Sequence, residues 1–181
     1  MGMCASVMAQ PTLDGPSAGV FNWAATSSVG GCAANIVQDL QNEQYNTWSD
    51  GTNTILSQSF TAPTNINVCT FRVFAASDAA SSAVCTIQLR TAVNGGGSLL
   101  GTSTSNSIAY NGAVPAFYNF TFSSPVAISS GSVVYATLVP ADGIRIVTWN
   151  RYNTSQIYSG GFCYHNATQG YYDFEFEVWT Q

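Results

Sequence analysis

The sequence predicts an all-β protein, an antiparallel β-sandwich with an extended amino-terminal arm. Three observations predict it. From residue 55 onward, apolar and polar side chains alternate with a period of two, which on a pleated strand sends one set inward and the other outward. Gly, Ser, Asn and Pro turns recur at spacings of roughly 8–15 residues and delimit roughly eight short strands, the pattern of a sandwich. No helical period interleaves those strands after residue 54, as a parallel α/β fold requires.

Residues 1–20 carry neither period and contain Pro11, Gly15, Pro16 and Gly19. They read as an arm lying on a neighbouring surface or on their own domain. Val7-Met8-Ala9 resembles a signal-cleavage site, but a basic n-region and a long apolar stretch are missing. Met1-Gly2 with Ser6 fits the myristoylation pattern and Cys4 is a candidate palmitate acceptor, yet no basic patch supports anchoring. Residues 21–54 form an irregular lead-in, with a short helix expected in Ala33–Gln44, where Ile36, Val37 and Leu40 share a face. A turn is expected at Trp48–Asn53, tightest at Asp50-Gly51.

The sandwich is expected over 55–181. In 66–75 the inward set is Cys69, Phe71 and Val73, with Thr70 and Arg72 outward. In 83–91 Cys85, Ile87 and Leu89 point in, while Thr86, Gln88 and Arg90 point out. Asn94-Gly95-Gly96-Gly97 is a turn. In 116–122 Tyr118, Phe120 and Phe122 oppose Asn119 and Thr121. Ser129-Ser130-Gly131 turns the chain into 132–139, where Val134, Ala136 and Leu138 point in. Ile144 and Ile146 follow. In the last strand, 171–179, Tyr172, Phe174, Phe176 and Val178 share one face; Tyr171, Asp173, Glu175, Glu177 and Trp179 share the other.

Charge narrows the function. Only 7% of residues are charged, against about 25% in ordinary soluble domains. There is no lysine; Arg72, Arg90, Arg145 and Arg151 are the four basic residues. A surface of hydroxyls and amides repels its neighbours weakly and tolerates close packing against other copies. The net charge of −5 without a basic cluster argues against nucleic-acid binding, which needs cations to neutralise phosphates. No apolar run reaches the length of a membrane span.

Candidate chemistry is sparse. The single histidine, His165, lies two residues from Cys163; a Cys–His dyad also needs an orienting group and an oxyanion hole, so no catalytic residues are assigned. Asp173, Glu175 and Glu177, about 7 Å apart along one strand face, are either a solvated face or oxygen ligands for Ca²⁺; no other cofactor is expected. Tyr152, Tyr158 and Tyr171, with Trp149, sit in a Tyr/Asn/Gly-rich stretch and are the candidate rings for a glycan or protein partner. Cys4, Cys32, Cys69, Cys85 and Cys163 contain no zinc-site spacing. They are either buried thiols or one or two disulfides, with Cys69 and Cys85 as the candidate pair.

Two segments carry a resemblance. Gln58-Ser59-Phe60-Thr61-Ala62-Pro63 opens a strand, and Phe117-Tyr118-Asn119-Phe120-Thr121-Phe122-Ser123-Ser124-Pro125-Val126 runs into Ser129-Ser130-Gly131-Ser132-Val133-Val134-Tyr135. Over about residues 55–140 this resembles the choice-of-anchor modules, jelly-roll domains similar in fold to carbohydrate-binding modules and found in phage structural and bacterial surface proteins. The resemblance implies a jelly-roll sandwich and a non-catalytic role. The expected function is a virion structural protein, a capsid decoration, fibre or tail-surface component, with copies of itself and other virion or surface proteins as partners and the virion surface as its location. The alternatives are a secreted module that binds surface polysaccharide, and an extracellular filament subunit whose arm completes a neighbour's sheet.

Overall fold

The structure, a computed structural model, describes residues 31–38, 45–49, 55–77, 82–110, 116–141, 146–152, 159–170 and 172–181, with the backbone pairing alone for 45–49, 146–152 and 172. The expected arm and the turn at 50–53 lie outside these residues. Fourteen strands and no helix occur among the described residues. They are β1 (Ala33–Gln38), β2 (Tyr45–Ser49), β3 (Leu56–Thr61), β4 (Ile66–Ser77), β5 (Ala83–Arg90), β6 (Leu99–Thr102) and β7 (Asn106–Ile108), then β8 (Ala116–Ile128), β9 (Val133–Pro140), β10 (Ile146–Tyr152), β11 (Cys163–His165), β12 (Thr168–Gln169), β13 (Tyr172–Phe174) and β14 (Phe176–Thr180).

The strands form two antiparallel sheets packed face to face. The first runs β1-β14-β4-β10-β13, with β8 also on β4 and β2 also on β10; the second runs β12-β11-β3-β9-β5-β6, with β7 also on β5. The period-two pattern explains the packing. In β5 the inward Cys85, Ile87 and Leu89 are fully buried, as are Ala136 and Leu138 of β9 to within 1%. Phe120 and Phe122 of β8 are buried while Asn119 and Thr121 are exposed. Phe71 stacks on Phe176 at 5.4 Å between centroids, and Phe60 from the opposite sheet lies 6.4 Å from Phe71. These rings bridge the two layers. The turns fall where expected: Asn94, Gly95 and Gly97 have positive φ, and so does Gly131 at +77°.

Three expectations are corrected. The segment Ala33–Gln38 is strand β1, not the start of a helix; it pairs with β14, so Ile36 opposes Val178 inside the sandwich. Its neighbour in the sheet decides the matter, because tertiary pairing outweighs a weak helical period. With β2 paired to β10, the sandwich also recruits residues from the expected lead-in. Cys69 is not in the main core. A bulge between Val68 and Thr70, opposite an irregularity at Trp179/Thr180 and a four-residue excursion of β8 at Phe122–Pro125, gives Val68 the interior position and turns Cys69 to the other face. Bulges re-aim side chains in this way.

The last strand is also not continuous. It breaks at Glu175: β14 runs beside β4, whereas β13 runs beside β10, and the Phe74 amide donates to the Glu175 carbonyl at the branch. Beyond that point β10 takes over the edge of β4, pairing Thr148 with Ala75. The sheet therefore forks, with Glu175 at the fork.

One lateral edge of the sandwich is closed. The Thr104 amide and hydroxyl both donate to the Thr121 carbonyl, Asn106 Nδ2 donates to the Asn119 carbonyl, and Tyr118 Oη accepts from the Ala109 amide. Gly101 permits the approach, since a Cβ there would meet Val126 Cγ2 at 2.5 Å. The free edge of β8 is thus covered.

Replacing Phe71 with alanine should lower stability by about 3–5 kcal/mol, read from the denaturant midpoint. The same change at exposed Asn119, directly opposite Arg72, should stay within about 0.5 kcal/mol.

Candidate functional site

Two outward faces and one interior cluster carry the polar and aromatic side chains. On the first sheet the register aligns Thr70, Arg72 and Phe74 of β4 with Thr121, Asn119 and Phe117 of β8, and Thr70 and Arg72 with Trp179 and Glu177 of β14. Arg72 is the centre. Its Nη1 donates to both oxygens of Glu177, at 3.2 and 3.0 Å, and its guanidinium lies 4.3 Å from the centroid of the Phe117 ring. Trp179 Nε1 donates to Glu177 Oε2 at 2.7 Å, and Phe117 contacts Phe74 at 4.9 Å. Beside them the Cys32–Cys69 disulfide packs with Trp179 and Ala34. The result is an outward face whose Arg72–Glu177 charges are matched to each other, with aromatic rings around them.

The outward face of the second sheet is richer in hydroxyls. Ser57 and Thr137 hydrogen-bond at 2.9 Å and are both buried, so β3 is covered on each side. Tyr135 and Tyr164 meet edge to face at 5.5 Å. Burial, then the neighbouring Tyr135, pushes the Tyr164 phenol up from its usual range. Arg90 Nε donates to Gln88 Oε1 at 2.8 Å along β5. Ring faces beside an amide and a guanidinium are what a sugar ring or a flat protein surface can use.

In the interior, Gln58 is fully buried on β3 and joins the two sheets. Its Nε2 donates to Asp173 Oδ1 at 2.8 Å and to the Ser59 carbonyl, while its Oε1 accepts from the Phe174 amide. Cys163 opposes Gln58 in the ladder. Burial, with the Asp173 carboxylate second, pushes the Cys163 thiol well above its ordinary value. A catalytic cysteine needs the opposite shift, toward thiolate.

Asp173, Glu175 and Glu177 do not share a solvated face. Asp173 is 3% and Glu175 6% exposed. Asp173 reaches across to Gln58, Glu175 sits at the fork and Glu177 turns to Arg72. The break in the strand at Glu175 interrupts the alternation that would have aligned them. Among the described residues no group of three or more His, Cys, Asp or Glu side chains converges to hold a metal ion.

Of the candidate rings, Trp149 and Tyr152 lie on β10, opposite Asn46 and Tyr172 respectively; Tyr158 and Tyr171 lie outside the described residues. The candidate pair Cys69–Cys85 is corrected to Cys32–Cys69, with Cα atoms 6.5 Å apart; Cys85 is a buried thiol whose Sγ donates to the Thr86 carbonyl. The reason is the bulge, which points Cys69 outward from the first sheet while Cys85 points inward from the second. The Tyr135–Tyr164 pair and the Arg72–Glu177 pair were not singled out from the sequence. Tyr135 did carry a signal, since its parity within 132–139 is opposite to that of Val134 and Ala136.

The chain matches no protein-family model and no curated protein. No helix among the described residues is long and apolar enough to cross a membrane.

Two tests follow from this geometry. Reducing the Cys32–Cys69 bond, or replacing Cys32 with serine, frees a loop with a sequence separation of 37 and should cost about 2–4 kcal/mol of stability by chain-entropy reckoning, read by denaturant unfolding with and without reductant. Because the raised pKa of Cys163 keeps it a thiol, alkylation of the native protein at mildly alkaline pH should leave Cys163 unmodified by peptide mass mapping, and labelling should appear only in denaturant.

Proposed function

We propose that the chain is a non-catalytic structural subunit of a virion-type particle, a capsid decoration, fibre or tail-surface component, working through contacts with copies of itself and with other particle proteins. The observation that carries the reading is the outward face of the first sheet, where hydroxyl, amide and aromatic side chains surround Arg72 and Glu177, which neutralise each other. Such faces keep the protein soluble yet offer little repulsion to an identical neighbour. The resemblance of the strands around Gln58–Pro63 and Phe117–Tyr135 to choice-of-anchor jelly rolls supports the same role. The test is purification of the native particle: the chain should be present at a fixed copy number, and a chain that stays freely soluble and absent from any particle contradicts the proposal.

A second reading, a secreted module for surface polysaccharide, is favoured by Tyr135 and Tyr164 beside Gln88 and Arg90. On that reading, Tyr135→Ala should abolish retention on a polysaccharide affinity gel without unfolding the sandwich. No retention of the parent protein removes the second reading and leaves the first.

A further inference from the structure

The arginines on the two outward faces are handled differently. Arg72 is engaged by Glu177 and by the Phe117 ring. Arg90 meets no carboxylate among the described residues; its hydrogen bond runs from Nε to Gln88 Oε1 at 2.8 Å. That bond steadies both side chains along β5. It leaves the two terminal nitrogens of Arg90 and the Nε2 of Gln88 without an acceptor among the described residues. A guanidinium carries five N–H donors and accepts nothing, so water or a ligand must supply the acceptors.

The register sets an aromatic ring directly beside these donors. Tyr135 of β9 opposes Arg90 and Thr137 opposes Gln88, which puts these side chains on the outward face of the second sheet. The Tyr164 ring meets Tyr135 edge to face at 5.5 Å. Thr137 bonds to Ser57 and both are buried, so those hydroxyls are closed to a ligand. Tyr135, Tyr164, Gln88 and Arg90 are each partly exposed and keep contact with solvent. From Tyr164 on β11 to Arg90 on β5 the patch crosses four adjacent strands, about 14 Å at ordinary strand spacing. That is room for a short run of sugar rings.

We infer that this patch binds an acidic saccharide, with a uronate carboxylate on the Arg90 guanidinium, a sugar oxygen on Gln88 Nε2 and the apolar face of a sugar ring against Tyr135. The inference rests on the polysaccharide reading above and deepens it by fixing the charge of the ligand. The donor set makes the choice. A planar guanidinium takes a carboxylate through two parallel hydrogen bonds, and Tyr135 supplies flat apolar area next to it. A neutral glycan would use the ring and leave the terminal nitrogens of Arg90 to water. A nucleic acid would need a row of cations, and Arg90 stands alone beside the rings in a chain of net charge −5.

The same net charge sharpens the test, since it repels a polyanion everywhere except at a local cation. Isothermal titration of the intact, oxidised protein compares polygalacturonate and alginate, both polyuronates, with dextran, a neutral glucan. A polyuronate should bind about tenfold or more tighter than dextran, and less tightly as salt is raised. Arg90→Gln should weaken polyuronate binding by about tenfold or more, with circular dichroism and the denaturant midpoint those of the parent. If that variant does not fold, the preference of the parent decides the matter by itself. Affinity for dextran equal to or above that for the polyuronates, or polyuronate binding indifferent to Arg90→Gln, overturns the inference and leaves the polysaccharide reading standing. Absence of binding to all three overturns both.

Discussion

The contact between the two sheets is the constraint on which the other features of this molecule rest. Phe60 reaches from the second sheet to Phe71 and Phe176 of the first, and the aliphatic rows of β5 and β9 fill in beside them. Each ring is worth a few kcal/mol in burial. Neither sheet has a stable existence without the other, because each would expose a continuous apolar face. The outward faces, the edges and the closed margin at β8 are all consequences of how these inner faces are satisfied.

Within that apolar interior Gln58 is the exception, and it is a costly one if left unpaired. Each polar atom of its amide is used: one toward Asp173, one toward the Phe174 backbone. These bonds tie β3 of one sheet to β13 of the other close to the place where the first sheet forks. Apolar packing alone would tolerate sliding of one sheet over the other, whereas a buried directional pair selects one alignment. The fork at Glu175 and the Gln58–Asp173 bond are therefore coupled: the strand must leave β4 for Asp173 to be carried toward Gln58.

Legibility in the sequence follows the same physics. Where a strand is regular and one face is buried, alternation alone located the inward residues, as in β5, β8 and β9. It failed at irregularities. The bulge at Cys69 shifts parity by one residue, and neither composition nor spacing marks it; the wrong disulfide partner followed directly. The break at Glu175 misled in the same manner, turning three carboxylates with separate fates into one imagined face. β1 was missed because six residues with apolar positions at Ile36 and Val37 look alike as helix or strand until a partner is known, and the partner, β14, lies some 140 positions away. Tyr135 is outward by parity against Val134 and Ala136, whereas its contact with Tyr164 depends on β3 pairing with both β9 and β11, which local spacing does not encode.

The faces left outward are mild in charge and rich in groups that both donate and accept. Amide hydrogen exchange measured by mass spectrometry interrogates the two-layer interior strand by strand. Slowest exchange should fall in β3, β4, β5 and β9, each flanked on both sides and buried on its inward face, with faster exchange in the edge strands β1 and β12. Uniformly rapid exchange across β3, β4, β5 and β9 would contradict the sandwich and everything built on it.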